Sequence, residues 1–443
     1  MLAFLFTGLY KLMNTLSELK TGKLAGAKHL QLVEQLSEFP TDIFKLADTL
    51  EVLDLSNNNL SDLPDEFSCL HRLKRVFLSF NQFKHIPTVL VKCPALIMVA
   101  FKGNKISEFA PNSLPKNIEW LILTDNNLHE LPDDFGNYTQ LKKLALAGNN
   151  LKNLPASMAN CTNLELVRLS ANNLIKLYDW LLELPKLAWL AFAGNNFNKA
   201  QCLTKSTLKN TPLENFQLKK VIGQGASGVI HLAKTEHNNV AVKLFKGAIT
   251  SDGYPLDEVN CCLQAANHAN LIKVLSYIEQ SEQLGLVMEL IDSNYTNLGL
   301  PPSLETCTRD TFNDGCNYSI EAVYKIAKQM ANTLTHLHTN KVSHGDIYAH
   351  NTMINEHYDV LFGDFGAATN LVMLSEYQQQ QIQLIEVRAF GCLIEDLLST
   401  VSAADKQNDL FDKMSDIAAR ATNSVIASRP SFKALNVLLN ELV

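Results

Sequence analysis

Seven segments of this 443-residue chain repeat one pattern at a nearly constant interval, and nothing else in the sequence restricts the fold as tightly. They begin at Leu50, Leu73, Leu96, Ile118, Leu141, Leu164 and Leu187, so successive starts lie 23, 23, 22, 23, 23 and 23 residues apart. In each, apolar residues occupy positions 1, 4, 6 and 11, and asparagine occupies position 9: Asn58, Asn81, Asn104, Asn126, Asn149, Asn172 and Asn195. A degenerate earlier unit ends at Leu36, Phe39 and Pro40. Such a period means stacked units, each unable to bury its apolar face alone. Alternating inward apolar residues predict a short strand per unit. The chain must then turn inside the stack, where its backbone groups are cut off from water; an asparagine side chain, which both donates and accepts, satisfies such a turn. We read these asparagines as structural and none as catalytic.

With its Leu-x-x-Leu-Pro steps (Leu60 to Pro64, Leu128 to Pro132, Leu151 to Pro155), the region resembles the leucine-rich-repeat family in its short bacterial-type form. The resemblance implies an α/β solenoid over residues 25–200 whose concave face recognises a protein partner. The variable strand positions on that face include Arg75, Phe77, Glu119, Trp120, Lys143, Arg168, Trp189 and Phe192. Large amphipathic rings dominate interfaces, so Trp120 and Trp189 are candidate anchors for a partner. The alternative is that some of these residues pack against the second half of the chain.

The length exceeds one ordinary core and predicts two domains. A formal net charge of −7 and a pI near 6.0 argue against a nucleic-acid binder, which would show a basic face. The nine cysteines lack metal-ligand spacing; the adjacent pair Cys261 and Cys262 does not suit a tetrahedral zinc site, and Cys69, Cys93 and Cys161 recur at similar repeat positions. They read as small apolar side chains in a reducing, cytoplasmic setting, although delivery into another cell is compatible with the same features. Residues 1–24 form an N-terminal extension. Met1 to Tyr10 is apolar but too short to span a bilayer, and it lacks the basic start and cleavage site of a signal peptide. Met13 offers a second start, so residues 1–12 read as dispensable, with an interfacial anchor as the alternative. No integral membrane segment is expected.

The periodicity stops after Asn196. Residues 201–215 read as a short linker or cap, and residues 216–443 as a second domain. Its opening, FQLKKVIGQGASGVIHLAKTEHNNVAVKLFKG, reads as strand, glycine turn, strand, turn, strand. Gly223, Gly225 and Gly228 form G-x-G-x-x-G. Because a β-rich run follows, and no helix, a flap over phosphates fits better than a dinucleotide-binding turn. Lys243 falls in the strand VAVK, where it can hold α- and β-phosphates. Glu258 follows in a helical stretch, with Asp257 beside it as competitor. LGLVMELI then reads as a buried strand. Further on, VSHGDIYAHNTMIN supplies His344-x-Asp346-x-x-x-x-Asn351, and VLFGDFGAA supplies Asp364-Phe365-Gly366.

Each motif alone is common, but five in order carry weight. From Phe216 onward the chain resembles the protein-kinase family, and the whole resembles bacterial leucine-rich-repeat protein kinases, whose loop reads much like HGDIYAHN. The resemblance implies an α+β bilobal kinase-like domain using ATP and Mg²⁺ to phosphorylate serine, threonine or tyrosine. It implies catalytic roles for Asp346, Lys243, Glu258, Asn351 and Asp364, with Asn351 and Asp364 holding the metal. It implies nucleotide contacts from Ile222, Gly223, Gln224, Gly225, Ala226, Ser227, Gly228, Val229, Ile230, Ala241 and Lys243. Met288 would guard the back of the pocket, and Glu289 and Ile291 would meet the adenine edge.

Four departures accompany the resemblance. Gly345 stands where kinases gated by a phosphorylated loop carry arginine. Tyr348 stands where serine/threonine kinases carry lysine, and His350 where some tyrosine kinases carry arginine. EVRAFGCLIEDLL (Glu386–Leu398) resembles the helix after the activation segment, with Glu386 for the usual aspartate, only 22 residues beyond Asp364 and with no Ala-Pro-Glu motif. That leaves Arg429 without its usual glutamate, and Glu376 is a candidate stand-in. Residues 292–318 form an ordered loop at the pocket rim, which either recognises substrate or covers a groove. Besides a protein kinase, the sequence admits a nucleotide-binding pseudokinase scaffold acting through the repeats and a kinase-fold enzyme acting on a small molecule.

Overall fold

The computed structural model of the chain describes residues 14–199, 208–225, 227–236, 238–247, 249–250, 252–281 and 283–442; Ala226 and the proposed extension at 1–12 lie outside them. The chain divides into two compact units, and the division falls between Leu184 and Pro185.

In the first unit, α1 (Leu16–Lys20) is closed at its start by Thr15 and Glu18, each taking the other's backbone N–H. One strand per repeat follows: β1 (His29–Gln31), β2 (Val52–Asp54), β3 (Arg75–Phe77), β4 (Met98–Ala100), β5 (Trp120–Ile122), β6 (Lys143–Ala145) and β7 (Leu166–Arg168). Neighbours pair in parallel with matched register, so Leu53, Val76, Val99, Leu121, Leu144 and Val167 stack through the interior. All six are buried, each contributing about 1.5–3 kcal/mol by leaving water. The asparagines close the turns between coils. Asn149 Nδ2 donates to the Leu123 and Leu146 carbonyls at 2.9 and 3.0 Å, while its Oδ1 accepts the Leu128 N–H at 3.0 Å. Asn81, Asn104, Asn126 and Asn172 repeat the arrangement. Prolines 64 and 155 precede short 3-10 turns on the way to the next strand, their fixed φ suiting that entry. A single turn of helix, α2 (Asp179–Leu182), ends the unit.

The expected recognition residues are less open than the sequence suggests. Trp120 is 3% exposed, with the Lys143 ammonium 4.2 Å from its ring centroid, and Lys143 and Arg168 are themselves buried. Arg75 and Glu119 are half-buried.

The second unit begins with the last repeat, whose strand is β8 (Trp189–Ala191). Residues 209–211 hydrogen-bond along one edge of the next sheet, Thr211 N–H to the Tyr277 carbonyl at 2.8 Å. That sheet is antiparallel: β9 (Gln217–Gln224), β10 (Gly228–Lys234), β11 (Asn239–Phe245), β12 (Val274–Gln280) and β13 (Gln283–Glu289), in the order β12-β13-β11-β10-β9. Helix α3 (Pro255–Ala265) packs on it through Val259 and Leu263, which meet Phe245 and Leu286.

The remainder is mainly helical. The two-residue strand β14 (Thr296–Asn297) leads to α4 (Ile320–Thr339), capped by Ser319 and burying Ile320, Val323, Ile326, Ala327, Met330, Leu334 and Leu337 at helical spacing. Short pairs follow: β15 (Val342–Ser343) with β18 (Thr369–Asn370), and β16 (Thr352–Ile354) with β17 (Val360–Phe362). Next come α5 (Glu376–Ser399), α6 (Asp409–Ala421) and α7 (Phe432–Asn440). A Cβ on Gly391 of α5 would lie 2.8 Å from Ala421 of α6, so glycine permits their close crossing. Helix α5 starts ten residues before Glu386, because Ser375 and Gln378 form a capping box and the glutamines behind them are good helix formers. No helix among the described residues is long and apolar enough to cross a membrane.

Candidate active site

Strand β11 and helix α3 bring together the first two candidate residues. Lys243 Nζ and Glu258 Oε1 form a buried hydrogen-bonded ion pair. Glu258, and not its neighbour Asp257, is the lysine's partner in this pair. Burial disfavours the Lys243 charge, but Glu258 and then Asp364 outweigh it and hold the ammonium protonated. Burial and the nearby Asp364 push Glu258 up. One cation is thus shared by two carboxylates in a site largely closed to water.

Asp346 and Asn351 lie on the loop between β15 and β16. Asn351 Nδ2 donates to Asp346 Oδ2 at 2.9 Å and to the Asp346 carbonyl at 3.0 Å. With its nitrogen so engaged, the amide leaves Oδ1 to face a cation. Asp364 sits just past β17 in the left-handed region (φ 59°). Burial would raise its carboxyl, yet the net shift is downward, chiefly because Lys243 and then the Gly366 N–H favour the anion. His344 ties the two segments. Its Nε2 lies 3.0 Å from the Gly363 carbonyl, which can only accept, so the proton is on Nε2. The ring stacks on Phe362, 4.1 Å between centroids, and burial keeps it neutral. Asn351 and Asp364 thus offer two hard oxygen donors, which suits a magnesium ion completed by phosphate and water. Among the described residues no cluster of three or more His, Cys, Asp or Glu suggests another metal.

Three supports of this loop come from distant parts of the chain, and of these motif reading singles out the position of Glu386 alone. Glu386 of α5 accepts the Gly345 N–H at 2.6 Å and bonds His338 Nε2 at 2.5 Å. Burial favours its neutral form, but the His338 and Gly345 contacts hold it below its ordinary value of 4.5. Asp310, from the 292–318 segment, accepts the Ala349 N–H at 2.5 Å and meets His350 Nδ1 at 2.7 Å. That segment therefore reaches the loop that carries Asp346 and Asn351. Trp189 of β8, expected as a partner anchor, is 2% exposed and stacks on Tyr348. Hydrogen-bond partners at such sequence distance leave no local signal.

The glycine turn joins β9 to β10. A Cβ on Gly228 would approach the Leu244 carbonyl to 2.5 Å, so that glycine is fixed by packing, whereas one on Gly225 would meet nothing within 4 Å. Gly225 N–H bonds the Gly228 carbonyl at 3.0 Å across the turn. Gly223 pairs with Ile230 and Gln224 with Val229. Ile222 is exposed and Ser227 buried. Ala241 pairs with Met288 across β11 and β13. The Glu289 N–H is engaged by the Lys273 carbonyl at 2.9 Å, and Ile291 follows in irregular chain.

Arg429 differs from expectation. It donates to the carbonyls of Asn423, Leu384 and Pro185, while Glu376 is exposed at the start of α5. Backbone oxygens have replaced the carboxylate partner. Only residues 365–375 separate Asp364 from α5. Their two hydroxyl side chains are Thr369, which is buried, and Ser375, which caps the helix.

Comparison with known proteins defines the class. Residues 216–384 match the protein kinase domain and residues 29–83 the leucine rich repeat. The chain carries both. Among individual relatives it is 25% identical to the serine/threonine-protein kinase PITSLRE of Drosophila melanogaster over 46% of this chain and 23% of that one. It is 23% identical to the CTD kinase subunit alpha of Schizosaccharomyces pombe, over 40% and 32%, and 28% identical to the Aurora/IPL1-related protein kinase 2 of Caenorhabditis elegans, over 35% and 48%. The chain thus spans less than half the length of each. These relatives are eukaryotic; the two domain matches support repeats joined to a kinase domain, and neither they nor the relatives show the bacterial form of that resemblance.

Proposed function

We propose that the second unit is an ATP- and Mg²⁺-dependent protein kinase, transferring the γ-phosphate to a serine, threonine or tyrosine hydroxyl, and that the repeats recognise the protein partner. The observation carrying this reading is the buried Lys243–Glu258 pair set against Asp364, with Asp346 and Asn351 in mutual contact and His344 tying them to the Asp364 turn. Lys243 would bind the α- and β-phosphates, and the turn from Ile222 to Ile230 would cover them. Met288 would line the back of the base pocket, with the Glu289 carbonyl and the Ile291 backbone at the adenine edge. Asp346, oriented by Asn351, would align the acceptor hydroxyl and take its proton. Asn351 and Asp364 would hold Mg²⁺, which when bound neutralises charge on the phosphate oxygens. Positioning and electrostatics of this kind supply nearly all the catalysis of phosphoryl transfer.

The short 365–375 segment favours a second reading, in which nucleotide is bound and the domain acts as a scaffold. Labelled ATP and Mg²⁺ distinguish the two. On the first reading label passes to the protein itself or to an acceptor panel, and Asp346→Ala abolishes transfer while still binding nucleotide. Binding without transfer in wild type and variant alike supports the scaffold.

A further inference from the structure

We infer that the last repeat is a built-in brace for the catalytic loop, with Trp189 the positioning residue that fixes Asp346; the inference rests on the kinase reading above. The indole of Trp189 lies parallel to the Tyr348 ring, 4.7 Å between centroids and 4° between planes. Its N–H donates to the Ile347 carbonyl at 3.0 Å. Ile347 and Tyr348 directly follow Asp346, so one side chain holds both the backbone and the side-chain face of the next two residues. The stack continues: His350 lies 4.9 Å beyond Tyr348, and Asp310 fixes its far side. Three rings thus cross the loop from β8 to the 292–318 segment. On the other side of Asp346, a Cβ at Gly345 would lie 2.9 Å from the Leu190 carbonyl and 2.6 Å from that of Ala367, at φ +71°. Strand β8 therefore presses on the residue before Asp346 as well, and an arginine there would fit neither the space nor the backbone.

The brace is anchored and reaches further. Arg429 and Arg388 hold the carbonyls of Pro185 and Lys186 at 2.6 and 3.0 Å. At the repeat's other end, a Cβ at Gly194 would lie 2.5 Å from Tyr254 and 2.7 Å from Asp257, at the start of the helix that carries Glu258. One repeat accordingly contacts both the Asp346 loop and the Glu258 helix. A loop without the arginine that senses phosphorylation needs another source of rigidity, and a fixed repeat supplies it without a covalent mark.

The test compares full-length wild type, Trp189→Phe and Trp189→Leu, measuring kcat, KM for ATP, Mg·ADP affinity and hydrogen exchange of the Gly345 amide, with α4 amides as control. Phenylalanine keeps a ring and loses one hydrogen bond, so kcat is expected to fall about fivefold. Leucine loses stack and bond, and the resulting misplacement of Asp346 is expected to lower kcat about 10²-fold. KM for ATP and Mg·ADP affinity stay unchanged, and exchange quickens at Gly345 and not in α4. Wild-type kcat in both variants, or a loss of kcat matched by an equal loss of nucleotide affinity, overturns the inference. If the leucine variant does not fold, the phenylalanine variant decides. If wild type transfers no phosphate, the kinase reading has failed and amide exchange decides the brace alone: unchanged exchange at Gly345 in the variants overturns it.

Discussion

The carboxylate of Glu386 holds the backbone N–H of Gly345 at 2.6 Å, joining the middle of α5 to the residue before Asp346. Its second bond, to His338, completes a buried polar link. Replacing Glu386 with alanine strands both donors, and a loss of about 3–5 kcal/mol is expected in the second unit. The sign of the pH dependence follows from the downward shift. A carboxylate held below 4.5 contributes stability that is present above that value and lost as pH falls through its folded-state value. Calorimetry across the acid range should show this limb in wild type and a flatter one in Glu386→Gln.

Removing Lys243 leaves Glu258 and Asp364 facing each other without their shared cation. Lys243→Ala is expected to abolish phosphoryl transfer and to destabilise the second unit by about 3–5 kcal/mol, read by chemical denaturation. Glu258→Gln keeps the volume and a hydrogen-bond acceptor, so it should weaken transfer more than it weakens folding. Measuring both quantities on both variants separates charge from packing.

Asp310 supports the loop from the opposite side to β8. Asp310→Ala leaves the Ala349 N–H without its acceptor, which costs about 1–3 kcal/mol if it stays buried. Loosening His350 and Asn351 together is expected to lower kcat by about 10²-fold. Steady-state kinetics showing full activity would place the 292–318 segment outside the catalytic apparatus.

In the first unit the asparagines carry the load at the turns. Asn149→Ala removes two donated bonds and one accepted bond from buried backbone groups. The expected loss is about 2–4 kcal/mol. Thermal unfolding of the repeats measures it, and kinase-domain nucleotide binding should be untouched.

The parts legible from sequence are those whose partners lie close in the chain or recur at a fixed step. The seven asparagines announce a strand per repeat because each coil solves the same hydrogen-bonding problem. Asp346 and Asn351 are five residues apart and meet directly. The parts that were not legible depend on distant pairing. Trp189 meets Ile347 across 158 residues, and Asp310 meets His350 across 40. The repeat pattern runs unbroken to Asn196, so nothing in it shows that the last coil belongs with the second unit. Arg429 was misread because its partners are carbonyls, which every residue possesses and no sequence advertises. The start of α5 was missed because a glutamine run carries no apolar periodicity, although its cap at Ser375 was a readable signal.

The segment from Phe365 to Ser375 has a consequence for time. A kinase that stores a phosphate on its own loop stays switched on until a phosphatase erases the mark. Here Thr369 is sealed in the interior, and the one exposed hydroxyl, that of Ser375, accepts the Gln378 N–H as the cap of α5. Any record written at that segment therefore falls on a single helix-capping hydroxyl.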